Sequence, residues 1–155
     1  MTINPYLGRD SAEPFLQYAD KGIVILCRTS NAGAREFQDL VVDGRKLYQI
    51  VAESVARDWN SRGNCLLVVG ATYPEELADI RARTGDMTFL VPGVGAQGGD
   101  VEKAVRSGRT AAGEGLVINS SRGIIYAGSG EDFAVAARRA TLELRDAINA
   151  ALKTN

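Results

Sequence analysis

Histidine is missing from this chain altogether. Its absence excludes Ser–His triads, imidazole general bases and histidine-ligated zinc on these residues. Lysine is nearly as scarce, confined to Lys21, Lys46, Lys103 and Lys153. Cysteine occurs only at Cys27 and Cys65, each inside an apolar strand-like run. That placement reads as buried thiols rather than a disulfide or a metal pair, and it fits a cytoplasmic setting. There is no excess of either charge: the formal net charge is −1, which gives no electrostatic basis for binding nucleic acid or an anionic membrane. No apolar run is long enough to span a bilayer. Met1 leads straight into TINPYLG, so no signal peptide is expected.

What remains is an ordinary globular composition, and 155 residues suffice for one domain with a real core, expected over 1–155. The most informative stretch is TFLVPGVGAQGGD, residues 88–100. Phe89, Leu90 and Val91 read as a short buried strand that breaks at Pro92. Glycines at 93, 95, 98 and 99 let bare backbone N–H groups approach a ligand closely. Asp100 reads as the N-cap of a helix from Val101 to Arg106. A strand, a glycine loop and a helix start together suit an anion, most often a phosphate. Gln97 is the one long polar side chain in that loop.

The rest of the chain repeats a strand–helix alternation. Thr2–Leu7 reads as the end of a strand. Ser11 reads as the cap of a helix to about Asp20, with Pro14 in its first turn. Ile23–Cys27 is a strand too uniformly apolar to face water on one side. A polar loop to Arg45 follows, then a helix from Lys46 to Arg62 with Leu47, Ile50, Val51, Ser54 and Val55 on its buried face. Trp59 and Tyr48 on that helix read as core or interface. Cys65–Val69 is the next strand. Pro74 opens a helix at its first position, Glu75 and Glu76 complement the helix dipole, and Thr84-Gly85 ends it. Thr88–Val91 and Leu116–Asn119 are the last strands, the latter leaving through Ser120-Ser121-Arg122-Gly123. The final helix spans about Glu131 to Leu152, burying Phe133, Ala136, Ala137, Ala140, Leu144, Ile148 and Leu152.

Five short apolar strands alternating with helices predict an α/β fold with a parallel sheet, either a (β/α)8 TIM-type barrel or an open doubly wound sheet. Polar and glycine signals follow the strands, and both architectures place their sites there. Gly93-Val94-Gly95-Ala96-Gln97-Gly98 matches a dinucleotide fingerprint literally, but it follows a late strand, and the next strand ends in Asn119 without a carboxylate. A barrel accounts better for a glycine loop and Ser121-Arg122-Gly123 after the last two strands, where barrels commonly bind phosphate. Arg122 offers a planar fork for that phosphate.

Five motifs in order, NPYLG at 4–8, TSN at 29–31, VGATYP at 69–74, VPGVGAQGGD at 91–100 and NSSRGIIYA at 119–127, resemble orotidine 5′-phosphate decarboxylases of the longer bacterial type. The resemblance implies a (β/α)8 barrel that converts orotidine monophosphate to uridine monophosphate and CO2 without a cofactor, as a homodimer. It implies that Gln97, Gly98, Gly99 and Arg122 grip the phosphate, that Ser30 contacts the pyrimidine ring and that Pro92 lies beside it. The family's catalytic Asp-x-Lys-x-x-Asp run belongs at the end of the third barrel strand, and the resemblance begins only at the fourth. No such run occurs in this sequence, and no catalytic residue is expected on this chain. Lys21 precedes a strand, at the wrong end of a barrel, and the other lysines fall on helices or the tail.

Three readings follow: the C-terminal five βα units of such a decarboxylase, a non-catalytic nucleotide- or phosphate-binding protein, or a half-barrel subunit needing a partner. Five strands of eight leave two edges, so the isolated chain is expected to associate or to be poorly soluble. Glu36, Asp39 and Asp43 read as a solvated acidic cluster, with a lid over the substrate as the functional alternative.

Overall fold

The computed structural model describes residues 1–95 and 99–153. In chain order the strands and helices are β1 (Thr2–Ile3), α1 (Arg9–Leu16), β2 (Ile23–Arg28), α2 (Arg35–Gln38), β3 (Val41–Val42), β4 (Arg45–Lys46), α3 (Leu47–Ser54), β5 (Cys65–Val69), α4 (Pro74–Thr84), β6 (Phe89–Pro92), α5 (Val101–Gly108), β7 (Leu116–Asn119), α6 (Ser121–Ile125) and α7 (Phe133–Lys153). The main sheet is five-stranded with order β1-β2-β5-β6-β7, and every pairing is parallel. Each new strand joins the same side of the one before. A doubly wound sheet reverses direction at a switch point; this one never does, so it is an arc of a barrel.

Alternation along the strands explains how the arc is held. Ile25, Leu67 and Phe89 share one register row and are all fully buried. They lie under the helices with Val55 of the segment after α3, and with Leu77 and Ile80 one turn apart on α4. Burying each such side chain stabilises the fold by roughly 1.5–3 kcal/mol. The opposite face is different. Val24, Leu26, Leu66 and Leu90 are only half-buried, and Val117 beside Leu90 is 48% exposed. The uniform apolarity of β2 therefore does not mean cover on both faces here; it marks the concave face that lines a barrel.

Several elements differ from the sequence reading. Thr2–Leu7 is a strand only over Thr2–Ile3, then a 3-10 turn at Pro5–Leu7 whose start is capped by the Asn4 side chain. Ser11 does not cap α1, which starts after Gly8; it lies inside the helix and donates to the Gly8 carbonyl at 2.8 Å. Pro14 sits beyond the first turn, and α1 stops at Leu16. The stretch to Arg45 is not plain loop: it holds a 3-10 turn (Ala32–Ala34), α2 and the antiparallel pair β3–β4. The expected long helix is α3 followed by a wider turn at Val55–Trp59, closed by the Asn60 N–H on the Val55 carbonyl at 3.0 Å. Its best-buried stripe is Tyr48, Ala52, Val55 and Trp59, one residue round from the expected face. Lys46 ends β4 rather than lying on a helix. On α7, Phe133 is 60% exposed rather than buried, whereas Ala136 is buried.

One side chain ties the strand starts together. Arg81 of α4 donates to the carbonyls of Gly108 (2.8 Å), Gly85 (2.6 Å), Met87 (2.6 Å) and Gly115 (3.1 Å). Its guanidinium lies 3.9 Å from the Phe89 ring centroid. Burial lowers its pKa, opposed by Asp86. No carboxylate hydrogen-bonds to it among the described residues, so its charge is met by backbone dipoles and an aromatic face. Arg81→Leu strips the donors from these carbonyls, and urea denaturation is expected to show a loss of about 2–4 kcal/mol. A loss under half a kcal/mol would mean that the carbonyls are satisfied without it.

Both cysteines are free and buried, in line with the sequence. Burial pushes the Cys27 thiol up to about 12, against the pull of Arg28, and the Cys65 thiol up to about 11. Raised pKa values keep both in the unreactive thiol form. Native protein at pH 8 is therefore expected to resist iodoacetamide at both positions and to react fully in denaturant; rapid native labelling, read by intact mass, would contradict this burial.

Candidate nucleotide site at the strand ends

The C-terminal ends of the strands are locked side by side beyond the regular ladder. The Gly70 N–H donates to the Arg28 carbonyl at 2.8 Å, and the Ala71 N–H to the Pro92 carbonyl at 2.9 Å. Pro92 in turn is in register with Asn119. Ser30, Thr72, Pro92 and Asn119 thus share one end of the sheet. Three side-chain atoms there, Ser30 Oγ, Thr72 Oγ1 and Asn119 Oδ1, are buried with no hydrogen-bond partner among the described residues. A buried polar atom left unpaired costs about 1–3 kcal/mol, so three at one sheet end point to a polar ligand.

The glycines of this region have steric reasons. A Cβ on Gly70 would lie 2.1 Å from Ser30 Oγ. A Cβ on Gly99 would lie 2.7 Å from the Gly93 carbonyl oxygen and 2.8 Å from Ala71 Cβ. Gly93 and Gly95 have φ of 90° and 74°, the left-handed region that favours glycine. The Gly95 N–H donates to the Gly99 carbonyl at 2.9 Å, and the Gly99 N–H to the Gly93 carbonyl at 3.2 Å, so the two ends of the loop are clamped. Gln97 and Gly98, both expected phosphate contacts, lie outside the described residues. Asp100 is committed elsewhere: its carboxylate accepts from the Lys103 N–H at 3.0 Å as the cap of α5.

Between this loop and the exit of β7 is a small cleft of about 150 Å³ lined by Pro92, Gly93, Val94, Asn119, Ser120 and the first residues of α6. The exit is a short helix rather than a loop, and Arg122 stands in its first turn. Arg122 is exposed, borders the cleft and makes no ion pair among the described residues. It is a cation placed where an anion would complete it. A larger groove of about 540 Å³ opens beside Thr29, walled mostly by Leu26, Phe37, Leu47, Tyr48 and Val51. Its apolar lining suits no phosphate. Of the expected contacts, the structure therefore brings Pro92 and Arg122 to one cleft, and links Ser30 and Gly99 to it through Gly70, Ala71 and Gly93.

Beneath this surface is a charged cluster. Arg28, 2% exposed, ends β2 and grips Glu76 of α4 through two hydrogen bonds, Nε to Oε2 at 2.6 Å and Nη2 to Oε1 at 2.9 Å. Asp39 lies 3.2 Å from Nη1, and the Tyr48 ring centroid is 5.1 Å from the guanidinium. Burial works against the charge on Arg28, but Glu76 and Asp39 outweigh it and raise its pKa. Burial, with Glu76 and Asp79, pushes the Tyr48 phenol up to about 12, so the ring stays neutral. Asp39 also approaches Lys46 at 3.6 Å, so it is no solvated acid, while Glu36 and Asp43 are exposed as expected. The segment between β2 and α3 is pinned by these pairs, which argues against a free lid. The sequence reading left out Arg28, Thr72 and Asn119. Thr72 and Asn119 had a signal, a polar residue at or just past a strand end; Arg28 pairs with a residue 48 positions away and had none.

Arg28→Met removes the buried cation and leaves Glu76, 12% exposed, without its main partner. Breaking such a pair from one side costs about 3–5 kcal/mol. The variant is expected to lose that much in denaturant titration; a stability within 1 kcal/mol of the parent would mean that water takes over the role of Arg28.

Comparison with known proteins agrees with this fold. A protein named orotidine 5′-phosphate decarboxylase from Azoarcus sp. (strain BH72) is 65% identical over 150 residues, covering 97% of this chain and 56% of its own length. One from Cellvibrio japonicus (strain Ueda107) is 60% identical over 97% of this chain. The structure of Leishmania donovani OMP decarboxylase superposes with a TM-score of 0.85 at 42% identity, covering 99% of this chain and 57% of that one. The chain thus spans about half the length of the curated relatives it matches. The model of the orotidine 5′-phosphate decarboxylase / HUMPS family matches residues 1–139, and the chain belongs to that family.

Proposed function

We propose that this chain forms the phosphate- and pyrimidine-binding part of an orotidine 5′-phosphate decarboxylase, a carboxy-lyase that yields uridine 5′-monophosphate. The observation that carries the reading is the set of unpartnered buried atoms on Ser30, Thr72 and Asn119, beside a cleft bordered by Arg122. Arg122 and the loop ending at Gly99 hold the phosphate, joined by Gln97 and Gly98. Ser30 donates to or accepts from the pyrimidine ring, and Pro92 packs beside it. A phosphate fixed at a distance from the reacting carbon lets binding energy orient the ring for reaction.

Decarboxylation breaks the bond from ring carbon to carboxylate, releases CO2 and puts a proton on the carbon left behind. It needs a proton donor and charges matched to the changing carboxylate. None of the four lysines lies at a C-terminal end of the main sheet: Lys21 precedes β2, Lys46 ends the small hairpin, and Lys103 and Lys153 are on α5 and α7. The family's Asp-x-Lys-x-x-Asp run, absent from this sequence, is the group that supplies this chemistry in the proposal. A second reading, a half-barrel subunit that closes its sheet against another polypeptide, is favoured by the row Leu26, Val68, Leu90 and Val117, in which only Val68 is fully buried.

Calorimetric titration with uridine 5′-monophosphate, paired with an assay on orotidine 5′-monophosphate, tests the first reading. Binding without turnover is expected. Arg122→Ala is expected to weaken uridine 5′-monophosphate by about 10- to 100-fold, the loss of charge-assisted hydrogen bonds, and to leave uridine unchanged. Equal loss for both ligands would remove Arg122 from the phosphate site. Turnover would place a proton donor among residues assigned here to structure. Light scattering on the same sample tests the second reading, which requires an oligomer; a clean monomer would reject it.

A further inference from the structure

We infer that Gln38 is a positioning residue that holds Thr29 and Ser30 in the geometry needed for the pyrimidine ring, an inference that rests on the nucleotide reading above. The parallel ladder between β2 and β5 shifts register between Leu26 and Arg28. Such irregularities re-aim the residues that follow them. Arg28 is turned into the buried charge cluster, and the next N–H, on Thr29, has no sheet partner. Gln38 of α2 supplies one. Its Oε1 accepts from the Thr29 N–H at 3.0 Å, and its Nε2 donates to Thr29 Oγ1 at 2.8 Å. Thr29 Oγ1 in turn donates to Asn31 Oδ1 at 2.6 Å.

One amide therefore grips both the backbone and the side chain of the residue before Ser30. Gln38 is itself held: Arg28 Nη1 lies 3.4 Å from its Oε1, and the neighbouring Asp39 pairs with the same Arg28 at 3.2 Å. On the far side Gly70 has no side chain, and Ser30 Oγ fills the space a Cβ there would take, 2.1 Å from its position. Ser30 Oγ is left buried and without a partner among the described residues, and so available to a ligand. Gln38 does not reach the reacting atoms in this scheme; it acts through Thr29.

The test uses the full chain with two probes, uridine 5′-monophosphate and ribose 5-phosphate, which keeps the phosphate and lacks the base. Amide hydrogen exchange of Thr29 is read by NMR alongside. Gln38→Leu is expected to weaken uridine 5′-monophosphate about tenfold, the worth of two neutral hydrogen bonds, to leave ribose 5-phosphate within about twofold, and to accelerate Thr29 exchange at least about tenfold. Gln38→Glu keeps an oxygen for the Thr29 N–H and is expected to restore most of both. Gln38→Asn, shorter by one methylene, is the second loss variant should leucine upset folding. Unchanged Thr29 exchange, or equal weakening of both probes, would overturn the inference. If the unsubstituted chain binds neither probe, the nucleotide reading fails, and Thr29 exchange in the variants still decides whether Gln38 holds this segment.

Discussion

The bidentate pair between Arg28 and Glu76 is the constraint on which the ligand end of the sheet depends. A guanidinium at the end of a central strand is costly to bury, and a carboxylate from α4 that meets two of its nitrogens offsets that cost. Asp39 joins from the segment after α2. One cation thereby fastens a strand end, a helix start and an inserted segment to one point. The cost of burying it is offset by geometry: the planar fork permits one arrangement of the three elements rather than several. Nearby, Ser30 Oγ, Thr72 Oγ1 and Asn119 Oδ1 stay buried without partners among the described residues.

The sheet divides the labour between its two ends. At the strand starts Arg81 gathers four carbonyls and stacks on Phe89, a wholly structural use of a cation. At the strand ends a second arginine is buried for support, and a third, Arg122, is left exposed beside a polar cleft. The same residue type thus serves as clasp, as anchor and as candidate ligand contact. Only the surroundings distinguish them: backbone dipoles for the first, carboxylates for the second and no ion pair among the described residues for the third.

Much of the main sheet was legible in the sequence because its signals are local. Cys65–Val69 and Leu116–Asn119 are short apolar runs with clear stops, and Pro74 with two acids marks a helix start. The cap at Asp100 was equally plain. What escaped was set by distant contacts or by overlooked turn chemistry. Asp43-Gly44, with φ of 49° and 75°, is a tight hairpin signal between Val42 and Arg45, directly after the apolar run Leu40-Val41-Val42, and it was passed over in a stretch read as polar loop. The buried stripe through Tyr48, Ala52, Val55 and Trp59 keeps ordinary helical spacing but lies one residue round from the face through Leu47, Val51 and Ser54, with Tyr48 turned in against Arg28, a contact made only on folding. Of the candidate site, the glycine loop and Arg122 were visible as pattern, and Ser30 through family resemblance. Gln38 and Arg28 were not, because their partners are fixed by folding.

The contact between Gly70 and Ser30 has an evolutionary consequence. A methyl group at position 70 has no free space while a hydroxymethyl stands opposite it. Position 70 can gain a side chain only after position 30 has lost its hydroxymethyl. Sequence drift at these two positions is thus coupled: substitutions there arrive in a fixed order or not at all. The pair behaves as a single inherited character shared between the exits of two strands.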